Sequence, residues 1–267
     1  MPVKPGTRRG HAPLFKTFRA VARLLPSFFF LSCVNTATPP RLFLCPIVVI
    51  TFDDADPTIY GFAFPFMRSM DSTWAATHFF PVSYAGPGGP ITVAQEKEME
   101  KAGWETGGHA YTHENLSSVP LDSVENQVKG SYEFLAGNGL CHESFAYPFG
   151  NYNDTVKTVV EKYFHTIRTA HDYTYLDGVD RTELGYYAVK SGCTADDIIG
   201  RVEHARSIGS PLVIIGFHAI LPDTAAPVPI YWCKQSAFIG FMRYLKKHEY
   251  PVLTVKEAMR VLCGEGW

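Results

Sequence analysis

The sequence predicts a single α/β domain that folds as a distorted, TIM-like barrel of about seven parallel strands. Residues 46–52 form an apolar, β-branched run of strand length, continuous enough to be buried on both faces. Similar runs alternate with helical patterns along the chain, which indicates a parallel sheet. The length agrees, because 267 residues with 46% apolar content can bury one large core, and single α/β barrels are commonly of this size.

Six further segments have the composition of buried strands. They are residues 76–84, 104–109, 144–148, 165–170, 186–190 and 211–218. Seven such strands in a chain of this length favour a barrel over an open sheet, although a doubly wound fold shows the same alternation.

Helical patterns lie between these strands. Residues 93–102 consist of strong helix formers, and Gly103 follows them as a common helix stop. The other predicted helices are residues 121–135, 154–163, 196–208 and 236–247. Several of them begin with Asp or Ser near the cap position, as helices often do.

Charge is distributed unevenly along the chain. No acidic residue precedes Asp53, whereas seven Lys and Arg residues do. The chain from Asp53 onward therefore has 17 of the 24 basic residues against all 26 acidic ones, a net charge of -9. An acidic surface repels phosphates, so the sequence excludes nucleic acid as a partner.

The amino-terminal segment has the pattern of an export signal. A short apolar run at residues 24–33 follows the basic stretch and is too short to span a bilayer. It ends in a sequence similar to a bacterial lipoprotein processing site, which predicts possible membrane anchoring through Cys33. Cleavage near Ala37 and an organellar transit peptide are alternatives. We expect a signal or anchor and linker over residues 1–40, a catalytic domain over residues 41–267, and an extracytoplasmic protein, secreted or membrane-anchored.

Polar residues follow several of the predicted strands. Asp53 and Asp54 end the first, His109 and His113 follow the third, and His218 ends a late one. The carboxyl ends of barrel strands converge on one mouth, so we expect these side chains to share a cleft. In a helical turn the HxxxH spacing would place both imidazoles within reach of one ion, and two histidines with a carboxylate form a common catalytic zinc set. Taken singly, a strand-end Asp is usually a turn former and a strand-end His a core residue.

Four ordered motifs resemble those of the polysaccharide deacetylase family, the nodulation-factor deacetylase homology domain that includes chitin and peptidoglycan deacetylases. They are TFDDA at 51–55, HAYTHENLSS at 109–118, FAYPFG at 145–150 and PLVIIGFH at 211–218. The resemblance spans roughly residues 47–260. It implies that Asp53 is the general base, that Asp54, His109 and His113 bind a metal, and that His218 protonates the leaving amine.

The resemblance also implies a cofactor and a substrate. The metal would be Zn²⁺, or alternatively Co²⁺, Ni²⁺ or Mn²⁺. The backbone N–H of Phe149, after Pro148, would stabilise the oxyanion, and we expect Tyr147 and Trp232 to contact the substrate. The substrate would be an acetylated glycan such as peptidoglycan, a chitin-like polymer or poly-N-acetylglucosamine, with removal of N-acetyl or O-acetyl groups.

Two features depart from the family pattern. Phe145 stands where the family has an Arg that positions the base, and Arg168 is a candidate replacement. The acidic motif that orients the catalytic His is not recognisable, and its role could fall to one of three nearby acids, Asp172, Asp177 and Asp180. Two alternatives therefore stay open: a C–N hydrolase of the same fold acting on a small amide, and a catalytically silent carbohydrate-binding protein.

Overall fold

The computed structural model describes residues 45–86, 88–172, 175, 178–226 and 230–264. All of them belong to one compact unit, Leu42–Trp267. The predicted export signal, the boundary after residue 40 and the possible anchor at Cys33 lie outside the described residues, so these remain predictions. No helix in the described ranges is both long and apolar enough to span a membrane.

A curled parallel sheet forms the centre of the fold. The described chain contains ten strands: β1 (Ile47–Asp53), β2 (Thr77–Phe80), β3 (Glu105–Gly108), β4 (Ser144–Ala146), β5 (Thr166–Arg168), β6 (Tyr187–Ala188), β7 (Leu212–Phe217), β8 (Ala219–Leu221), β9 (Trp232–Lys234) and β10 (Val252–Leu253). Seven of them follow the order β5-β4-β3-β2-β1-β7-β6, and β10 also pairs with β1. All these pairings are parallel. The predicted α/β class and the single barrel-like domain are confirmed.

Seven α-helices accompany the sheet in the described chain: α1 (Phe64–Met70), α2 (Val93–Lys101), α3 (Leu121–Gly137), α4 (Asp154–Val160), α5 (Ala195–Ser207), α6 (Gln235–Lys247) and α7 (Val255–Cys263). Five of them match predicted helices, with ends that differ by a few residues. The sequence analysis did not predict α1 and α7. A signal for α7 was present, because Thr254 and Glu257 form a capping box in which each side chain accepts the backbone N–H of the other residue.

Apart from β1, the predicted strands are shorter in the structure than in the sequence analysis. The segment 76–84 was expected to be one strand, but β2 ends at Phe80 because Pro81 has no N–H to continue the ladder. β6 comprises two residues, and β8, β9 and β10 were not predicted because two or three residues show no periodicity. Central β1 is buried along its whole length, as its apolar sequence predicted.

A buried carboxylate connects the amino ends of neighbouring strands to the last helix. Glu105, on β3, accepts hydrogen bonds from Thr77 Oγ1 on β2 at 2.8 Å and from Ser144 Oγ on β4. It also accepts the backbone N–H of Lys256, in the first turn of α7, at 2.9 Å. Burial raises the pKa of Glu105. The carboxylate thus occupies the amino-terminal end of a helix, where negative charge is favourable.

We expect Glu105→Ala to lower the free energy of unfolding by about 3 kcal/mol, because it leaves two buried hydroxyls and a helix N–H without their acceptor. Urea unfolding followed by circular dichroism measures this change. Glu133→Ala is the matched control, since Glu133 is exposed on α3 and forms only a surface pair with Lys129. Equal unfolding midpoints for the two variants would contradict the stabilising role.

Candidate active site

The carboxyl ends of β1, β3 and β7 bring the predicted polar residues to one end of the sheet. Asp54 follows β1 directly, and its Oδ1 lies 3.4 Å from His109 Nε2 and 3.0 Å from His113 Nε2. One ligand atom from each of these residues lies within 4.8 Å of the others. His109 is buried, whereas Asp54 and His113 are partly exposed.

The two histidines lie on a loop and not on the helical turn that their spacing suggested. Ala110 and His113 both have left-handed backbone angles, with φ of 61° and 59°. The side chain of Gln127, on α3, accepts the backbone N–H groups of Tyr111 at 3.0 Å and Thr112 at 2.8 Å. Gln127 thereby supplies the hydrogen-bond acceptor that these two N–H groups would have in a helix. No local sequence pattern identified this residue.

Left-handed backbone is concentrated around the site. Six described residues other than glycine have positive φ, and five of them belong to the site loops: Asp54, Ala55, Ala110, His113 and Phe149. The left-handed conformation costs a non-glycine residue about 1–2 kcal/mol. Such strain is typical of functional sites, where the surrounding structure must hold it in place.

The three side chains fit a divalent cation. His109 Nδ1 donates to the carbonyl oxygen of Ala146 at 2.7 Å, which leaves Nε2 unprotonated and facing Asp54. Asp54 Oδ1 is buried and has no hydrogen-bond partner among the described residues. The distances of 3.0 and 3.4 Å from this oxygen to the two imidazoles are close to the ligand separation of about 3.3 Å in a tetrahedral zinc site.

The charge of Asp54 agrees with this assignment. Burial alone would raise its pKa, but the adjacent imidazoles of His109 and His113 outweigh that effect and hold the pKa well below its usual range. Asp54 is therefore ionised at neutral pH, as a metal ligand must be. The described chain thus contains a possible divalent metal site.

Asp53 is paired with the arginine that the sequence analysis suggested. Arg168 Nη2 donates to Asp53 Oδ2 at 2.6 Å, and the two residues are only 2% and 3% exposed. Arg168 lies at the carboxyl end of β5, where it pairs with Ala146 of β4. Phe145, at the position of the family's arginine, packs in the core. The second oxygen of Asp53, Oδ1, is buried without a hydrogen-bond partner in the described chain.

His218 lies beside both carboxylates. Its Nε2 is 3.9 Å from Asp53 Oδ2 and 3.8 Å from Asp54 Oδ2. Burial lowers the pKa of His218, which favours the neutral imidazole. The ring stacks on Tyr231, with centroids 5.0 Å apart and an interplanar angle of 27°.

The suggested acidic partners of His218 are engaged elsewhere or not described. Asp172 pairs with Arg201 at 2.9 Å, and Asp180 accepts hydrogen bonds from Thr182. Asp177 lies outside the described residues. His218 Nδ1 has no hydrogen-bond partner within the described ranges.

The turn after β4 exposes Phe149. The N–H of Gly150 closes the turn by donating to Tyr147 O at 2.9 Å, and Phe149 itself is left-handed with φ of 59°. Only glycine fits at position 150, because φ is 71° and an added Cβ would lie 2.0 Å from the Ala170 Cβ. The Phe149 ring is 63% exposed and its centroid lies 4.6 Å from that of His113.

The remaining predicted contact residues differ in exposure. The Tyr147 ring is 2% exposed and stacks on Tyr152, so it presents almost no surface to a substrate. Pro148 is also buried. Trp232 is buried too, although it lines the cleft, whereas its neighbour Tyr231 is 41% exposed.

A cleft of about 640 Å³ opens beside Asp54, one of the three candidate metal ligands. Its lining consists of Asp54, Ala55, Asp56, Pro57, Tyr84, Pro90, His218, Ala219, Leu221, Tyr231 and Trp232. Most of these side chains are apolar, and the polar ones include Asp54, Asp56 and His218. This is the usual composition of a small-molecule or substrate cleft.

Comparison with known proteins relates this geometry to one family. Residues 43–167 match the family described as "Polysaccharide deacetylase". No curated protein matches the chain. Among solved structures, a polysaccharide deacetylase from Bacillus cereus is 25% identical, with a TM-score of 0.52 over 57% of this chain. The matched region is half of that protein's chain.

Two more distant structures show the same fold. The Xyl-CE4 domain of a multidomain xylanase from the hindgut metagenome of Trinervitermes trinervoides is 15% identical, with a TM-score of 0.54 over 81% of this chain and 90% of its own. A mutant of a CE4 family pseudoenzyme with restored enzymatic activity is 18% identical, with a TM-score of 0.53 over 83% of this chain and 69% of its own. Residues 43–167 thus match the polysaccharide deacetylase family, and the fold of the chain is the one found in CE4 family deacetylases.

Proposed function

We propose that this protein is a divalent-metal-dependent hydrolase that removes acetyl groups from an acetylated polysaccharide. The observation that carries the proposal is the cluster of Asp54, His109 and His113 directly beside the Asp53–Arg168 pair. The family match over residues 43–167 supports a deacetylase. The cluster adds what that chemistry requires, namely a cation site next to a buried carboxylate that can act as a base.

The proposed chemistry divides between the cation and the protein side chains. Asp54, His109 and His113 would hold the ion, which we expect to be Zn²⁺, with Co²⁺, Ni²⁺ or Mn²⁺ as alternatives. When bound, the ion would polarise the acetyl carbonyl and lower the pKa of a water molecule. Every proton transfer is then assigned to residues of the chain itself.

Asp53 is the proposed general base. Its buried carboxylate is held at Oδ2 by Arg168, while Oδ1 is left without a partner among the described residues and can accept the proton of the attacking water. His218 Nε2 lies 3.9 Å from Asp53 Oδ2. His218 is the proposed acid that protonates the leaving group.

The backbone N–H of Phe149 is the proposed oxyanion donor. The turn at residues 147–151 is closed by the N–H groups of Gly150 and Asn151, which leaves the N–H of Phe149 outside those hydrogen bonds. A preorganised donor at this position would stabilise the negative charge that develops on the acetyl oxygen.

Two exposed aromatic rings support a glycan as the substrate. The Phe149 ring packs against His113, and the Tyr231 ring packs against His218. The site therefore has exposed aromatic surface next to both histidines. Exposed aromatic surface is unfavourable in water unless a ligand covers it, and sugar rings have apolar faces that stack on such side chains. Peptidoglycan, chitin-like polymers and poly-N-acetylglucosamine are the candidate substrates.

We expect Phe149→Ala and Tyr231→Ala each to raise KM for a glycan oligomer by about fivefold, because each removes a stacking contact of about 1 kcal/mol. Steady-state acetate release gives KM and kcat for each variant. Val261→Ala is the control, since Val261 is equally exposed but lies on α7. A KM unchanged from wild type in both aromatic variants would contradict the stacking role.

Acetate release tests the proposed function. The protein is incubated with N-acetylglucosamine oligomers, peptidoglycan and acetylated xylan, each with and without a chelator and subsequent zinc. Release that stops with chelator and returns with zinc would support the proposal. No release at full metal occupancy would overturn it. Hydrolysis of a small amide would then favour the alternative C–N hydrolase, and glycan binding without turnover a silent binding protein.

We also propose that the protein acts outside the cytoplasm. This follows from the basic and apolar pattern of residues 1–33 and agrees with polysaccharide substrates, which are found in cell walls and matrices. Anchoring through Cys33 remains one form of this proposal, and fractionation of the producing cells would test it.

A further inference from the structure

The guanidinium of Arg168 is buried with few hydrogen-bond partners. Nη2 donates to Asp53 and Nη1 to the carbonyl oxygen of Thr169 at 3.4 Å, which is a long contact. Nε has no hydrogen-bond partner in the described chain. Removing a guanidinium from water is costly, so one carboxylate and one weak hydrogen bond leave much of its lost hydration uncompensated.

Aromatic rings supply further contacts. The guanidinium carbon lies 3.9 Å from the ring centroid of Tyr186 and 5.2 Å from that of Phe79. Both distances are within the range of a cation–π interaction, which is strongest where water is excluded. Burial alone would lower the pKa of Arg168, but Asp53 and Tyr186 outweigh it and raise that pKa above its usual value, so the group stays charged.

Glycines in the sheet make room for these two rings. An added Cβ at Gly216, on β7, would lie 2.2 Å from the Tyr186 ring. An added Cβ at Gly107, on β3, would lie 2.5 Å from the Phe79 ring. Real Cβ atoms do not approach so closely, so each ring depends on a glycine in a neighbouring strand.

We propose that Tyr186 is a positioning residue for catalysis. Its ring packs against the Arg168 guanidinium and restricts its rotation, and Arg168 in turn orients the Asp53 carboxylate. Phe79 supports the same guanidinium from β2. The inference rests on the proposed role of Asp53 as the general base. Tyr186 is buried and does not line the cleft, so its loss acts through Arg168 and not through substrate contact.

Three variants of the metal-loaded protein test this inference. We expect Tyr186→Leu to lower kcat by about 30-fold, the equivalent of a desolvated cation–π contact, with KM and zinc content changed by less than about twofold. Tyr186→Phe keeps the aromatic face and should recover most of kcat. Phe164→Leu is the matched control, because Phe164 is a buried core ring that packs on Phe145 and Tyr132. Its kcat should stay within about threefold of wild type.

A second readout does not depend on turnover. Nitrogen-15 NMR of the Arg168 side chain reports whether rotation of the guanidinium is restricted. Restricted rotation in wild type and Tyr186→Phe, and free rotation in Tyr186→Leu, is the expected result. Equal rotation of the Arg168 guanidinium in wild type, Tyr186→Phe and Tyr186→Leu would overturn the inference. Equal losses of kcat in Tyr186→Leu and Phe164→Leu would also overturn it.

The two readouts also separate this inference from the proposed function. A wild-type protein that releases no acetate from any substrate would defeat the proposed function. The NMR comparison would then still decide whether Tyr186 restrains Arg168.

Discussion

Asp54→Ala and His113→Ala are each expected to abolish metal binding and acetate release together. Each substitution removes one of three ligand atoms that lie within 4.8 Å of one another. Changing a residue that only hydrogen-bonds to a metal ligand typically costs about 10–100-fold in metal affinity. Loss of a ligand itself should therefore cost at least about 100-fold. The rate should fall by about a thousandfold or more, because the cation supplies several kcal/mol of transition-state stabilisation.

Metal content and acetate release are measured on the same dialysed samples. Glu114→Ala is the matched control, because Glu114 is an exposed acid next to His113 and is not part of the cluster. That variant should retain metal and activity. Full zinc occupancy in both Asp54→Ala and His113→Ala would show that these residues are not the ligands.

Asp53→Asn is expected to retain zinc and lose turnover by about a thousandfold, because an amide has nearly the shape of the carboxylate but cannot take a proton from water. The measurements are kcat and zinc content in parallel. Unchanged acetate release would remove Asp53 from the role of base.

The same substitution leaves the buried Arg168 without its counter-charge, which should cost about 3 kcal/mol of stability. Asp53→Asn combined with Arg168→Met removes that unpaired charge. We expect the double variant to regain stability without regaining turnover. Recovery of turnover in the double variant would show that the single variant is inactive because of misfolding and not because it lacks a base.

Much of the fold followed from local sequence. The run at residues 46–52 predicted a strand buried on both faces, and β1 is fully buried. The five predicted helices are present, because strong helix formers and cap residues act over a few positions. Short strands such as β9 and β10 could not be predicted, because two or three residues have no periodicity and are defined only by their partners.

The candidate site divides in the same way. The sequence by itself determined which residues stand at the carboxyl ends of the strands, because a parallel sheet requires continuous apolar runs and polar side chains must leave the core where those runs end. Only the tertiary structure decided how they are held. The Asp53–Arg168 pair joins residues 115 positions apart, on β1 and β5, which are not neighbouring strands, so no local pattern could reveal it. Likewise, the loop that carries His109 and His113 depends on Gln127 of α3. Its side-chain oxygen accepts two backbone N–H groups of this loop, which replace the hydrogen bonds of the helical turn that the local spacing alone would favour.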